Sequence, residues 1–155
     1  LNASLSEIQF LECEFIECNL SNITTEQASF KDVSFDLCKM IGIRFEECTP
    51  FLLKMNFNSC VLNLASFYKL KLTKTTFNNC SLAEIDFTEC DLTSSIFQDC
   101  DLSGTQFENT KLVKTDFTTA TNFNINPSKN NIKKAKFSTE GLPGLLSEFD
   151  IIISQ

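Results

Sequence analysis

Cys90-Asp91-Leu92-Thr93-Ser94-Ser95-Ile96-Phe97-Gln98-Asp99-Cys100-Asp101-Leu102-Ser103-Gly104 runs three times through one five-residue phrase: a small residue, a second that is polar in two of the three, a large apolar one, then two variable positions. Outward from this stretch the apolar residue recurs at every fifth position without a miss: Phe57, Leu62, Phe67, Leu72, Phe77, Leu82, Phe87, Leu92, Phe97, Leu102, Phe107, Leu112 and Phe117. Two places before most of them stands a small or compact residue, among them Cys60, Ala65, Cys80, Ile85, Thr105, Thr110 and Thr115. The same period runs earlier through Leu5, Phe10, Phe15, Leu20, Phe30, Phe35, Met40 and Phe45, with Thr25 once in the central place. Around Cys48–Lys54 the register slips by two residues, which marks a bulge or short loop near 49–54.

A period of five fits neither a helix, at 3.6 residues per turn, nor a simple strand, at 2. It fits a chain that turns a corner every five residues and sends two side chains of each five inward. Four corners close a square coil of twenty residues, and successive coils stack as parallel strands roughly 4.8 Å apart. Because Phe and Leu alternate, equivalent residues line up along the axis. Phe57, Phe77, Phe97 and Phe117 are expected in one column, with Phe15 and Phe35 extending it, and Phe67, Phe87 and Phe107 in another. The prediction is an all-β solenoid over residues 1–137, with a loop near 121–131 and a capping segment at 138–155. About six coils make a rod on the order of 29 Å long at that strand spacing.

The capping segment changes character. Leu142, Leu145, Leu146 and Phe149 are spaced as one apolar face of a short helix, and Asp150–Ser154 reads as a final strand. Such a segment covers the open end of the last coil, where backbone groups and apolar side chains are otherwise bare.

Composition narrows the function. There are 16 Phe but one Tyr, no Trp and no His, which fits a dry, repetitive interior better than a polar cleft. With no histidine, no Gly-rich phosphate loop and no nucleophile beside a plausible base, the chain is expected not to be an enzyme and to need no cofactor. No apolar run approaches a membrane span, and eight cysteines without a basic, apolar leader predict a reducing, cytoplasmic setting. Cys18, Cys38, Cys60, Cys80 and Cys100 fall at one corner of successive coils, Cys48 and Cys90 in a second column and Cys13 in a third. One thiol per rung suits buried packing rather than a metal cage or a disulfide.

The formal net charge of −7 disfavours direct binding to nucleic acid or an anionic membrane and favours a basic protein partner. Glu84 and Asp86, Glu89 and Asp91, and Asp99 and Asp101 flank three successive corners of one coil, with no base among them. This acidic belt is the candidate partner-binding site. Ion pairs one coil apart are expected between Lys69 and Glu89, and between Asp91 and both Lys71 and Lys111.

Phrases such as Cys90-Asp91-Leu92-Thr93-Ser94 and Cys100-Asp101-Leu102-Ser103-Gly104 resemble the repeat of the pentapeptide-repeat proteins, and the resemblance covers roughly residues 3–137. It implies a right-handed quadrilateral β-helix. Lys134-Ala135-Lys136-Phe137-Ser138, the Leu145–Leu146 pair and Asp150-Ile151-Ile152-Ile153 are similar to the tail of the Qnr and MfpA quinolone-resistance branch. In that branch a C-terminal helix and strand join two rods end to end. The resemblance places a homodimer contact on Phe137, Leu142, Leu145, Leu146, Phe149, Ile151 and Ile153. It also implies DNA mimicry: branch members occupy DNA gyrase or topoisomerase IV and protect them from quinolones. Many members carry long projecting loops, whereas this chain has only the short interruption near Pro50. The alternative reading is a general protein-interaction scaffold unconnected with DNA-handling enzymes.

Overall fold

The computed structural model describes residues 3–155; residues 1 and 2 of the expected repeat domain lie outside them. One repeat shows how five residues close a corner. Phe87 N–H donates to Gln106 O on the next coil (2.9 Å), and Glu89 N–H to Glu108 O (2.9 Å). Asp86 N–H donates to Ala65 O one coil back (3.1 Å), and Cys90 N–H closes the turn on Phe87 O (3.1 Å). The fifth donor, Thr88 N–H, points along the turn and is met by Asp86 Oδ1 at 2.8 Å. Every N–H from Asp86 to Cys90 therefore has an acceptor, as buried backbone requires. The polar residue before the apolar one is there for that fifth donor: an Asp, Asn or Ser carbonyl or hydroxyl reaches the N–H two residues on. Asp91, Asp101, Asp116 and Asn131 repeat the bond at Thr93, Ser103, Thr118 and Lys133.

The corner is made by a left-handed residue two places after the apolar one. Glu84, Glu89, Ser94 and Asp99 have φ of 56°, 57°, 60° and 51°. For an L-residue this conformation costs about 1–2 kcal/mol, and glycine takes it at Gly42 and Gly104. Elsewhere the ladder bonds on both sides of each corner offset the strain.

Short strands form along the straightest side. Strands β1 (Gln9–Leu11) and β3 (Ser29–Lys31) pair in parallel, and β2 (Glu14–Ile16), β4 (Val33–Asp36), β5 (Met55–Asn58), β6 (Thr76–Asn78) and β7 (Ile96–Gln98) make a parallel sheet in the order β2-β4-β5-β6-β7. Its register puts Phe15, Phe35, Phe57, Phe77 and Phe97 opposite one another. Their rings, continued by Phe117 and Phe137, stack at 5.0–5.3 Å between centroids and within 11° of parallel. Across the interior Phe45, Phe67, Phe87 and Phe107 form a second stack. The two stacks meet edge to face at 5.8–6.3 Å and 70–89°, the geometry that aromatic quadrupoles favour. The expected columns are thus present, and each ring is locked by neighbours above, below and across.

The inward small residue has a second task. Central carbonyls such as Phe87 O and Leu92 O accept the turn N–H and have a lone pair left, and this inward lone pair is met by the small side chain of the next coil. Thr105 Oγ1 donates to Leu82 O (2.6 Å), Thr110 Oγ1 to Phe87 O (2.9 Å) and Thr115 Oγ1 to Leu92 O (2.8 Å). Cys60, Cys80 and Cys100 thiols donate in the same way to Phe35, Phe57 and Phe77 carbonyls. Thr25, which replaces a phenylalanine, is fully buried and donates to Arg44 O at 2.6 Å.

The register slip lies where expected. Phe35 pairs with Phe57, twenty-two residues on, whereas its neighbours pair at twenty. The extra residues leave the rod as a turn at Pro50–Leu53, with Phe51 and Leu52 exposed and Lys31 Nζ 5.5 Å from the Phe51 ring. The segment 121–131 is less of a loop than its polarity implies. Phe123 and Ile125 are buried, and Phe123 packs 5.6 Å from both Phe117 and Phe137.

The cap differs from the expected helix and strand. Residues 142–149 form two short 3-10 helices, Leu142–Leu145 and Ser147–Phe149, rather than one α-helical turn after another, and 150–155 join no ladder. Gly144 explains part of this. Its carbonyl accepts from Ile125 N–H (2.9 Å), and a Cβ there would lie 2.7 Å from Phe123 Cδ2 and Cε2. The backbone is pinned flat on the last core ring, with Pro143 beside it, and a regular helix cannot extend through that contact.

Ser95 tests the hydrogen-bond logic. Its buried hydroxyl donates to Leu72 O (2.7 Å) and accepts from Thr75 N–H (3.1 Å). Ser95→Ala is expected to cost about 1–3 kcal/mol, because both partners stay buried with one bond fewer. Urea denaturation measures it; an unchanged midpoint would show that the side-chain bonds are incidental.

Candidate interaction surface

A four-sided rod presents corners and flat sides rather than a cleft. A shallow concavity of about 580 Å³ against the cap is lined by Thr118–Asn124, Ser138, Gly141, Pro143 and Gly144, with Glu140 its single ionisable side chain, and another of like volume lies among Glu7, Gln27, Lys31 and Phe51. Among the described residues no three Cys, Asp or Glu side chains converge on a metal position, and no helix is long and apolar enough to cross a membrane. What remains is the outer surface.

The six carboxylates of the acidic belt fall on three corners, as their spacing requires, and they divide into two kinds. Asp86, Asp91 and Asp101 are half-buried and serve the backbone. Asp91 Oδ1 accepts from Thr93 N–H (3.0 Å) and Oγ1 (2.6 Å). Asp101 Oδ1 accepts from Ser103 N–H (3.1 Å) and Oγ (2.6 Å) and from Asn122 Nδ2 (2.9 Å). Glu84, Glu89 and Asp99 occupy the left-handed corner positions, where the side chain leaves the rod, and all three are exposed. Glu89 pairs with Lys69 at 3.6 Å, as expected between coils. The expected pairs of Asp91 with Lys71 and Lys111 do not close. Both lysines flank Asp91 on the neighbouring coils, and the Asp91 carboxylate turns its Oδ1 onto Thr93. Half of the belt is therefore turn chemistry that happens to be charged.

Five of the cysteines, Cys18, Cys38, Cys60, Cys80 and Cys100, form one column, with Cys48, Cys90 and Cys13 on other sides. All eight are unpaired, and all but Cys13 and Cys18 are buried. Burial pushes the Cys48 and Cys90 thiols up to about 12 and Cys38 up to about 11. The Cys60 thiol is held above its usual range by the adjacent Cys80 thiol and then by burial. Thiols kept protonated are poor nucleophiles and poor ligands.

The cap residues named from the sequence split as well. Phe137 stacks on Phe117 and Leu145 packs against the core. Leu142, Leu146, Phe149, Ile151 and Ile153 are exposed, and so is Ile152, at 94 %. Sequence reasoning missed Phe123 and Ile125, which hold the cap in place. Both lie off the five-residue period, so their apolar character amid polar neighbours was the available signal.

Asp101 gives this surface a pH test. The Ser103 hydroxyl and the Asn122 amide hold its carboxyl below the usual carboxylate range. Its contribution is therefore fully present above about pH 4, the unfolded carboxylate value, and is lost as pH falls through the lower folded value. Asp101→Asn keeps the Oδ1 acceptor and should flatten that acid limb, while Asp101→Ala should lower stability by about 1 kcal/mol at pH 7. Thermal melts from pH 7 to 2 compare the three; superimposable acid limbs would contradict the assignment.

A family model described as a pentapeptide repeat region matches residues 8–87 and 70–145. No curated protein matches the chain in sequence. Among solved structures, full-length QnrB1, described as a plasmid-mediated fluoroquinolone resistance protein, superposes with a TM-score of 0.66 over 97 % of this chain and 86 % of its own, at 15 % identity. Two trypsin-treated QnrB1 variants superpose with TM-scores of 0.58 and 0.56, each at 18 % identity over 99 % of this chain and over 86 % and 88 % of their own. At such identity the likeness is one of fold.

Proposed function

We propose a function from one premise: the chain belongs to the pentapeptide-repeat family. It is a non-enzymatic, cytoplasmic binding rod that imitates the charge of duplex DNA. It docks in the basic DNA groove of a type II topoisomerase, DNA gyrase or topoisomerase IV, and so modulates quinolone sensitivity. The observation that carries this reading is the set of outward carboxylates, Glu84, Glu89 and Asp99, raised on left-handed corners of a single coil with Asp86, Asp91 and Asp101 beside them. A narrow rod with carboxylates on three edges offers a basic groove what a duplex offers, and long-range attraction speeds the encounter. The fold shared with QnrB1 supports the same direction. Eight unpaired thiols, six of them buried, fit a reducing compartment.

The rod works as a homodimer joined at its cap. Leu142, Leu146, Phe149, Ile151 and Ile153 leave an apolar surface on one chain, and such a patch is ordinarily covered by a partner. End-to-end pairing doubles the length of the charged rod without altering the repeats.

Two measurements test these statements separately. Purified gyrase should lose supercoiling activity, or resist ciprofloxacin, in the presence of micromolar protein. The variant Glu84→Gln/Glu89→Gln/Asp99→Asn should require at least about tenfold more protein for the same effect, because it removes charge without touching a turn bond. No effect of the unmodified protein on gyrase in either assay would sink the mimicry. Sedimentation equilibrium should give a dimer that Phe149→Asp/Ile151→Asp converts to monomer; a monomer for the unmodified chain at high concentration would remove the dimer.

A further inference from the structure

Although the chain is acidic overall, the fold gathers its lysines on one side. Leu72, Leu92, Leu112 and Ile132 occupy successive coils of that side, aligned by the pairings of Lys71 with Asp91, Asp91 with Lys111, and Lys111 with Asn131. Six lysines project from it: Lys71, Lys74, Lys111, Lys114, Lys133 and Lys134, all exposed. None of them is within ion-pair distance of a carboxylate among the described residues, whereas Lys54, Lys69 and Lys129 elsewhere are. The single carboxylate on this side, Asp91, is engaged by Thr93. Along the sequence these lysines are spread over sixty-odd residues and interleaved with acids, so the net charge of −7 conceals them.

We propose that this side binds the phosphodiester backbone of a nucleic acid lying along the rod. Three coil steps separate Lys71 from the Lys133–Lys134 level, about 14 Å at the parallel-strand spacing. Over that length one strand of a B-form duplex presents about four phosphates, a fair match for six flexible ammonium groups, most of them in two rows, Lys71 and Lys111 in one and Lys74, Lys114 and Lys134 in the other. The hydroxyls of Thr73, beside Lys74, and of Ser94, between Lys74 and Lys114 in their row, add neutral donors of the kind that contact phosphate. Among the lysines the apolar side chains left partly open are Val113 and Ile132, with the exposed Phe51 and Leu52 one coil below them, so an acidic peptide or a lipid tail finds little apolar anchor between the ammonium groups. It is also narrow: Glu89 and Asp116 stand on the adjoining corners, and a flat anionic membrane would meet them too. A linear polyanion would not. At 0.1 M salt the screening length is about 10 Å, so charges on the far sides of the rod weigh little at contact. The proposal uses side chains the topoisomerase reading does not, and each can fail alone.

The test is fluorescence anisotropy of the full chain with a labelled 20-base-pair duplex of arbitrary sequence, over a series of salt concentrations. Saturable binding is expected, with log K falling linearly in log salt at a slope between about −3 and −5, about 0.9 per phosphate contacted. Lys111→Gln/Lys114→Gln/Lys133→Gln/Lys134→Gln should bind at least about tenfold more weakly at 0.1 M salt, with a slope shallower by about three. Lys39→Gln, an exposed lysine on the opposite side, should bind as the unmodified chain does. Absence of binding at 50 mM salt, or an unchanged slope in the fourfold variant, would overturn the proposal. So would competition by poly-glutamate or phosphatidylserine vesicles as effective as that by unlabelled duplex, since it would assign the surface to acidic protein or to lipid.

Discussion

The structure depends on the satisfaction of backbone polar groups at a corner repeated every five residues. A corner leaves one N–H pointing along the turn and one carbonyl lone pair pointing inward, and the inward group cannot be left bare in a dry interior. The polar residue before the apolar one meets the first, as Asp86 does for Thr88. The small residue before that meets the second on the coil below, as Thr110 does for Phe87. The repeat is thus a chemical requirement of the turn, and the hydrophobic column follows from it.

That requirement shapes the surface. Carboxylates that cap turns arrive at fixed positions on the corners, and the left-handed residues next to them point outward. An acidic belt built from such positions is half structural and half free. The free half can change without disturbing the rod, which is how a scaffold of this kind can vary its partners while the fold stays constant. The same arithmetic of twenty residues per coil gathers residues far apart in sequence into one-sided rows, of charge as readily as of Phe.

The ends obey a different rule. Within the rod every coil is covered by the next, but the last one is covered by whatever the chain can lay across it. Here Phe123, off the period, packs across from both Phe117 and Phe137, and Gly144 lets the backbone lie flat on its ring. The price is a short, irregular segment whose remaining apolar side chains face outward.

Much of this was legible in the residues themselves. Thirteen apolar residues at a spacing of five specify corners, columns and the two-residue slip, because the information is local and repeated in every phrase. The buried thiols and the placement of the belt followed from the same count. The cap was read less well: the spacing of Leu142, Leu145, Leu146 and Phe149 indicated a helical face, but contact with Phe123 decided in favour of two short 3-10 helices. The expected pairing of Asp91 with Lys71 and Lys111 also failed: Asp91 turns its Oδ1 onto Thr93, and both lysines stay outside ion-pair distance. The segregation of lysines onto one side also emerged only with the coil closed. A repeating local pattern determines its own backbone, whereas end contacts, competition for one acceptor and the sum of charge on a face depend on which distant residues the fold brings together.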